Sequence, residues 1–406
     1  MTHEDTISSP VLTPEQGPVF PALDALRAVG ALAVFTTHAA YWAGAYIGHG
    51  VWGSVLARLD VGVAIFFVLS GFLLARPYLA RALDRRPAPA LGHYYWKRAL
   101  RILPLYVVTA LLALGLITKN NDLGPRDWAV TLGLGNTFVD RQLPDGLTHM
   151  WSLAVEVSFY VLLPLLMLIA VGRSGRLHPR RVLALVLVLV AVTVGWELWG
   201  SPWASGWTSG QPNEWLPAYL CWFGVGILLA LVELLHRRGS TSRWISRVVS
   251  LAGQPGSCWA MAAGLMLVAA TPLAGPSMLV APTPGQLLAK NLVYAAIGGL
   301  VVMTGIFPAP DSAYARVLSQ RWARHLGFIS YGFFCLHLPV LHFVMWVTGW
   351  PLFEGRFVAI WAISLALSLA AAEVAYRLIE VPASRLRPLG RGESPMSAAT
   401  TGASTR

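Results

Sequence analysis

Two ionisable side chains, Arg27 and His38, lie inside one apolar segment, "ALRAVGALAVFTTHAAYWAG" from Ala25 to Gly44. At ~100° per residue the rotation between them is ~1100°, about 20° past three full turns, so a helix projects both from one face, ~16 Å apart. An ionisable group within a membrane span is costly, which turns that face toward a cavity or a partner and away from lipid. An imidazole so placed suits general base chemistry, and a guanidinium suits a phosphate or a carbonyl oxygen. The alternatives are structural: Arg27 snorkelling to the headgroups, and His38 hydrogen bonding between helices. A second stretch, "THMWSLAVEVSFYVLLPLL" from Thr148, carries Ser152, Glu156 and Tyr160 at a helical repeat that stacks them on one face. Counting rise along each span places His38 ~25 Å above the start of its helix and Glu156 about a turn and a half from the outer end of its own. The two are therefore expected at one depth, where a carboxylate fixes the tautomer of an imidazole and stabilises the imidazolium formed when it takes a proton. The alternative for Glu156 is an ion pair with Arg27 or Arg141.

The elements that must position these groups are membrane helices. Of 406 residues 56% are hydrophobic and 12% charged, and mean hydropathy is +0.59, outside the range of a soluble globular chain. Apolar runs of roughly 20 residues, enough to cross ~30 Å of hydrocarbon, recur along most of the length. Ten spans are predicted near 22–45, 60–77, 101–118, 151–171, 182–200, 216–235, 258–272, 289–307, 328–347 and 357–377, the first retained because no cleavage site of the secretory kind follows it. The fold class is all-α, a polytopic membrane protein. Assigning loops 76–101, 172–181, 236–257 and 308–327 and the tail from Arg377 to the cytoplasm places 23 of the 30 Lys+Arg residues there. That asymmetry puts both termini in the cytoplasm and the protein in the cytoplasmic (inner) membrane. Residues 1–20 and 389–406 lack periodicity and are expected to be disordered tails around one membrane domain over 21–388.

Composition also excludes partners. The net charge of +11 follows from topology and contact with anionic membrane lipids, so no nucleic acid is implied. Cys221, Cys258 and Cys335 have no CxxC spacing, and no metal site is suggested. Lys97, Lys119 and Lys290 lie outside any P-loop, and the sequence contains neither HExxH nor GxSxG.

Six blocks in order resemble the acyltransferase-3 family of integral membrane acyltransferases: "LDALRAVGALAVFTTHA" with its Arg-x10-His pattern, "VGVAIFFVLSGFLLARPY", "YYWKRALRILPLY", "MWSLAVEVSFYVLLP", "ISYGFFCLHLPV" and "YRLIEVPASR". The resemblance spans about residues 20–388. It implies transfer of an acyl group, commonly acetyl, from cytoplasmic acyl-CoA as co-substrate to a hydroxyl at the outer face. Carried over by position, it makes His38 the catalytic histidine and Arg27 its partner, and matches Arg98 and Arg101 to the family's Arg-x-x-Arg pair. With Lys97, that pair would grip coenzyme A phosphates, guanidinium forks being matched to such oxygens; ordinary positive-inside charge is the alternative. Glu156 would support the imidazolium, and Trp151, Ser152 and Tyr160 are candidate oxyanion donors. Ser70, His149, Ser330, Tyr331 and His337 are further polar groups at matching positions, of which Ser70–Gly71 also suits close helix packing. Glu380, just past the last span beside Arg377, is expected to form a cytoplasmic ion pair with an interhelical role and not to act as a catalyst. Direct transfer and a two-step route through an acyl-enzyme both remain open.

No fused esterase-like domain is expected after the tenth span. Arginine-rich, lysine-poor usage and the "LDVGVAIFFVLSGFLLARP" wording are similar to actinobacterial members, whose acceptors would be envelope polysaccharides or glycolipids such as trehalose mycolates. A tailoring enzyme for a macrolide-type antibiotic is the alternative within the class. A proton-coupled transporter or lipid flippase is the alternative outside it, since intramembrane Arg, His and Glu also suit transport.

Overall fold

The computed structural model describes residues 20–139, 142–172, 175–276, 280–309 and 311–386. Arg141 and both tails, apart from Phe20, lie outside the described residues. Ten principal helices carry the described chain: α1 (Pro21–Trp42), α2 (Gly62–Leu83), α3 (Leu91–Leu116), α4 (Trp151–Val171), α5 (Pro179–Gly195), α6 (Leu216–Arg237), α7 (Pro255–Ala269), α8 (Pro284–Ile306), α9 (Arg321–Thr348) and α10 (Phe357–Ala375). Each of the ten predicted spans coincides with one of them. Eight, α2 to α6 and α8 to α10, are long and apolar enough to cross a bilayer. Helix α7 has 15 residues, and α1, which carries Asp24, Arg27 and His38, is not among the eight. The protein is an all-α, polytopic membrane protein.

Helix α6 is the most enclosed, packed among α2, α5 and α8. Helix α1 lies against α2, α8, α9 and α10, so its polar face is shielded from lipid. With no water to expel between helices in a bilayer, tight packing depends on small residues that let backbones meet. A Cβ on Gly71 of α2 would fall 2.3 Å from the Phe223 carbonyl of α6, and one on Gly226 of α6 would fall 2.2 Å from the Val68 carbonyl of α2. Only glycine permits this crossing. Two π-helical turns follow α5 and α10, Trp196–Gly200 and Tyr376–Glu380. The wider turn breaks the helical repeat locally. Each carries a buried carboxylate, Glu197 or Glu380.

The α2–α6 crossing yields a first prediction. Gly226→Ala forces the two backbones apart and lowers the stability of the purified protein by about 1–3 kcal/mol, the usual range for overpacking. Thermal unfolding in detergent measures it, and an unchanged midpoint would show that the crossing can open without strain.

Candidate active site

Helices α1, α2, α3, α4 and α9 converge on a polar cavity of ≈ 110 Å³. Its cationic side is Arg27, Arg98 and Arg101, and its other polar walls include Ser70, Glu156 and Tyr160. Lys97 is outside this lining. The three guanidiniums differ in how they are held. Arg27 pairs with Asp24 at 2.9 Å, one turn away on α1. Arg101 pairs with Glu380 at 2.6 Å and lies over the Tyr331 ring at 5.3 Å. Arg98 sits over the Tyr160 ring at 5.9 Å, and its buried Nε has no hydrogen-bond partner among the described residues. A desolvated cationic donor without an acceptor is costly. Arg98 is therefore the arginine of the three with binding capacity to spare. Glu380 thus forms the interhelical ion pair expected of it, with Arg101, while Arg377 reaches Glu373 at 2.5 Å.

Glu156 lies in this cavity, not beside His38. Its carboxylate accepts the Tyr160 hydroxyl at 2.6 Å and the Ser70 hydroxyl, and the neighbouring Gly71 makes the close approach to α6. Tyr160 is itself held by its backbone. Pro164, four residues on, has no N–H for the Tyr160 carbonyl, which accepts the Tyr94 hydroxyl of α3 at 3.0 Å. The other candidate oxyanion donors are also engaged: Ser152 Oγ donates to the His149 carbonyl at 3.0 Å and Tyr331 to the Ile102 carbonyl at 2.8 Å. Trp151 lies against the Tyr219 ring at 5.1 Å.

His38 belongs to a different constellation. His38 Nδ1 lies 3.0 Å from His337 Nε2 of α9, and His337 Nδ1 is 2.6 Å from the Phe334 carbonyl. A third imidazole, His149, packs 4.6 Å from the His337 ring and 6.2 Å from the His38 ring. His149 is buried, and neither ring nitrogen reaches hydrogen-bond geometry, although the Phe334 and Cys335 carbonyls lie close by. Phe334 joins the two groups of residues. Its ring lines the polar cavity and meets His149 at 5.0 Å and His337 at 5.9 Å. Sequence reasoning picked out His38 and His337 separately and gave His149 no role. No local pattern signals the cluster, because its members come from three distant segments.

Beyond the imidazoles lies a second, larger cavity of ≈ 1270 Å³ at the other end of the bundle. Tyr41 and Trp42 at the end of α1, Leu112 and Leu116 at the end of α3, and Trp346, Trp350 and Phe353 give it aromatic and aliphatic walls. Its polar corner holds Lys119, Asp145 and His342, with His342 Nε2 3.8 Å and Lys119 Nζ 4.0 Å from Asp145. Thr148, next to His149, and Leu336 and Pro339, on either side of His337, also line it. The three imidazoles thus stand between a narrow cationic cavity and a wide aromatic one. Such an arrangement can present a base to two reactants arriving from opposite ends.

A family model described as an acyltransferase domain matches residues 20–377. The chain is similar to Nodulation protein 10 of Rhizobium leguminosarum bv. viciae, 27% identical over 399 residues covering 90% of this chain and 93% of the relative. It is also similar to the peptidoglycan O-acetyltransferase OatA of Listeria monocytogenes, 23% identical over 381 residues, and to the O-acetyltransferase OatA of Staphylococcus aureus, 22% identical over 383 residues. Each alignment covers 89% of this chain but only 55% and 57% of those two proteins. No solved structure matches.

The Arg101–Glu380 pair predicts a distinct mutational signature. Arg101→Ala leaves Glu380 buried without its cation and destabilises the protein by about 1–3 kcal/mol, while Arg101→Ala with Glu380→Ala recovers most of that loss. Thermal unfolding of the two single variants and the double gives the coupling, and strictly additive losses would show that the pair does not hold α3 to the end of α10.

Proposed function

The chain belongs to the acyltransferase-3 family, and from that premise we propose that it is a membrane-embedded O-acyltransferase using a cytoplasmic acyl-CoA, with acetyl-CoA the first candidate. The acceptor on this reading is a hydroxyl of an envelope carbohydrate or glycolipid at the outer face of the cytoplasmic membrane. One observation carries the reading: the imidazole layer lies between a cavity with three arginines and a cavity with aromatic walls. The basic residues support the orientation, since 23 of 30 Lys+Arg fall in the tail and loops at the end where α1 begins and α3 carries Arg98 and Arg101.

The donor enters from the arginine side. A cavity of ≈ 110 Å³ has space for a slender chain and none for a nucleotide, so the adenosine phosphates stay at the cytoplasmic mouth while the pantetheine arm extends inward. Arg98, with its unpartnered Nε, is the donor of choice for a phosphate or carbonyl oxygen, and Arg27 lines the path further along α1. The Phe334 ring must turn for the thioester to meet His38. The acceptor comes from the wide side, where flat aromatic walls suit the faces of sugar rings and Lys119, Asp145 and His342 suit hydroxyls.

His38 is the general base. It removes the proton of the acceptor hydroxyl as that oxygen bonds to the thioester carbonyl carbon. The C–S bond then breaks, and the coenzyme thiolate recovers the proton from His38. The buried rings of His149 and His337 limit the access of water and slow hydrolysis of the thioester while no acceptor is bound. The O-acetyltransferases among the relatives support this choice of reaction.

Binding of acetyl-CoA to the purified protein, followed by release of free CoA, tests the proposal. Saturable binding and slow CoA release are expected; no binding of acetyl-CoA or of longer acyl-CoAs would remove the donor assignment. His38→Ala should lower turnover about 10²–10⁴-fold with CoA affinity retained. Arg98→Ala should do the reverse, weakening CoA affinity about tenfold or more, as expected for loss of a charged hydrogen bond of ~1.5–3 kcal/mol. If Arg98→Ala binds CoA as the native protein does, the donor does not lie in this cavity.

A further inference from the structure

We propose that His337 is the positioning residue of the reaction, holding His38 in the one tautomer that can act as a base and stabilising, as a neutral acceptor, the charge that forms on it. The inference rests on the reading of His38 as general base, and it assigns to an imidazole the part that a carboxylate was expected to play.

The hydrogen bonds fix the protons one after another. The Phe334 carbonyl only accepts, so His337 Nδ1 at 2.6 Å from it carries a hydrogen. A neutral imidazole has one N–H, which leaves His337 Nε2 with a lone pair. His38 Nδ1, 3.0 Å away, is then the donor, and the lone pair of His38 is on Nε2. The opposite assignment would need a doubly protonated His337. That ring is fully buried against Phe35, Phe333, Phe334 and His149, with no carboxylate in contact among the described residues, and an ion in such surroundings is heavily penalised. The chain is anchored at one end by backbone. Phe334 is one turn before His337, and Pro339, two residues after it, deprives the adjacent Cys335 carbonyl of its helical donor. That freed Cys335 carbonyl lies near His149, while His337 uses the carbonyl of Phe334, the residue before Cys335.

The arrangement also accounts for the charge. When His38 Nε2 takes the hydroxyl proton, the Nδ1–H to His337 Nε2 contact becomes a charge-assisted hydrogen bond. The His337 Nε2 lone pair steadies the positive charge on His38, while the bridging proton stays on His38 Nδ1. On collapse of the tetrahedral intermediate His38 Nε2–H protonates the departing thiolate. Glu156, committed to Ser70 and Tyr160, is not needed for this step.

The test uses the full chain in detergent or nanodiscs, with acetyl-CoA as donor and release of CoA as readout. His337→Leu removes the acceptor and should lower kcat about 10²–10³-fold, within the range known for a base left in the wrong tautomer, while KM for acetyl-CoA stays within about twofold. His337→Gln offers a carbonyl oxygen to His38 Nδ1–H and should recover at least about tenfold of that loss; a merely structural role predicts no such split between kcat and KM. Nitrogen-15 NMR of histidine-labelled native protein should show His38 protonated at Nδ1 and bare at Nε2. His38 protonated at Nε2, or a His337→Leu variant within about threefold of native turnover while His38→Ala is inactive, would overturn the inference. Turnover retained by His38→Ala would instead overturn the base assignment, and the NMR tautomer still decides the orientation independently. If His337→Leu does not fold, the NMR measurement and His337→Gln, which should keep more than about a tenth of native kcat, carry the test.

Discussion

An ionisable side chain within a bilayer has no solvent except what the protein supplies. Most such groups near the centre of this bundle are accordingly given a protein partner or turned to a cavity: Arg27 with Asp24, Arg101 with Glu380, Glu156 with Ser70 and Tyr160, and His38 with His337. The requirement selects which helices meet. Helices α1, α2, α3, α4 and α9 carry the polar groups and face one another, while α5 and α10 present mostly apolar surface outward. A second polar set, Arg76 and Arg237 on Glu233, ties α2 to α6 outside the lining of the cavity. Arg98 Nε and the His149 ring are exceptions, buried without a hydrogen-bond partner among the described residues.

The same requirement reaches the backbone. A proline inside a span leaves a carbonyl without its helical donor, and hydrocarbon offers no replacement. Pro164 frees the Tyr160 carbonyl, and the Tyr94 hydroxyl takes it, fastening α3 to α4 beside Glu156. Pro339 frees the Cys335 carbonyl, which comes to lie near His149. The π-helical turn Tyr376–Glu380 ends in the carboxylate that holds Arg101. Two of these three irregularities thus supply an acceptor that a side chain of α3 uses: the turn at Pro164 for Tyr94, and the π-helical turn for Arg101.

How far the arrangement was legible in the sequence depended on the range of the interaction. Ten helices could be placed because length and hydropathy are local properties. The Arg27–His38 register survives for the same reason, as a property of one helix. The pairing of His38 with Glu156 rested on equal depth, and depth leaves the rotation of a helix about its axis undetermined: Glu156 faces Ser70 of α2. The Arg101–Glu380 and His38–His337 contacts join residues 279 and 299 positions apart, and no periodicity encodes such a pair. His149 lies in a single 3-10 turn, Thr148–Met150, too short to carry any period. That Glu380 would pair between helices was legible from its place just past the last span, but its partner Arg101 was not; Arg377, beside it in sequence, pairs with Glu373 four residues back.

The unequal cavities bear on how one active site can serve two compartments. A span of apolar side chains is an obstacle to a sugar, whose hydroxyls would have to shed water, and far less of one to a pantetheine arm and an acetyl group. On the proposed reading, unequal cavities of ≈ 110 Å³ on the cationic side and ≈ 1270 Å³ on the other would divide the work: the thin reactant would be threaded inward and the bulky one would stay on its own side. His38 lies one helical turn from Trp42 of the wide cavity, on the same helix as Arg27 of the narrow one, so α1 sets the spacing between the two cavities. A rigid helix under that role must be braced by its neighbours, which is what the contacts of α1 with α2, α8, α9 and α10 provide.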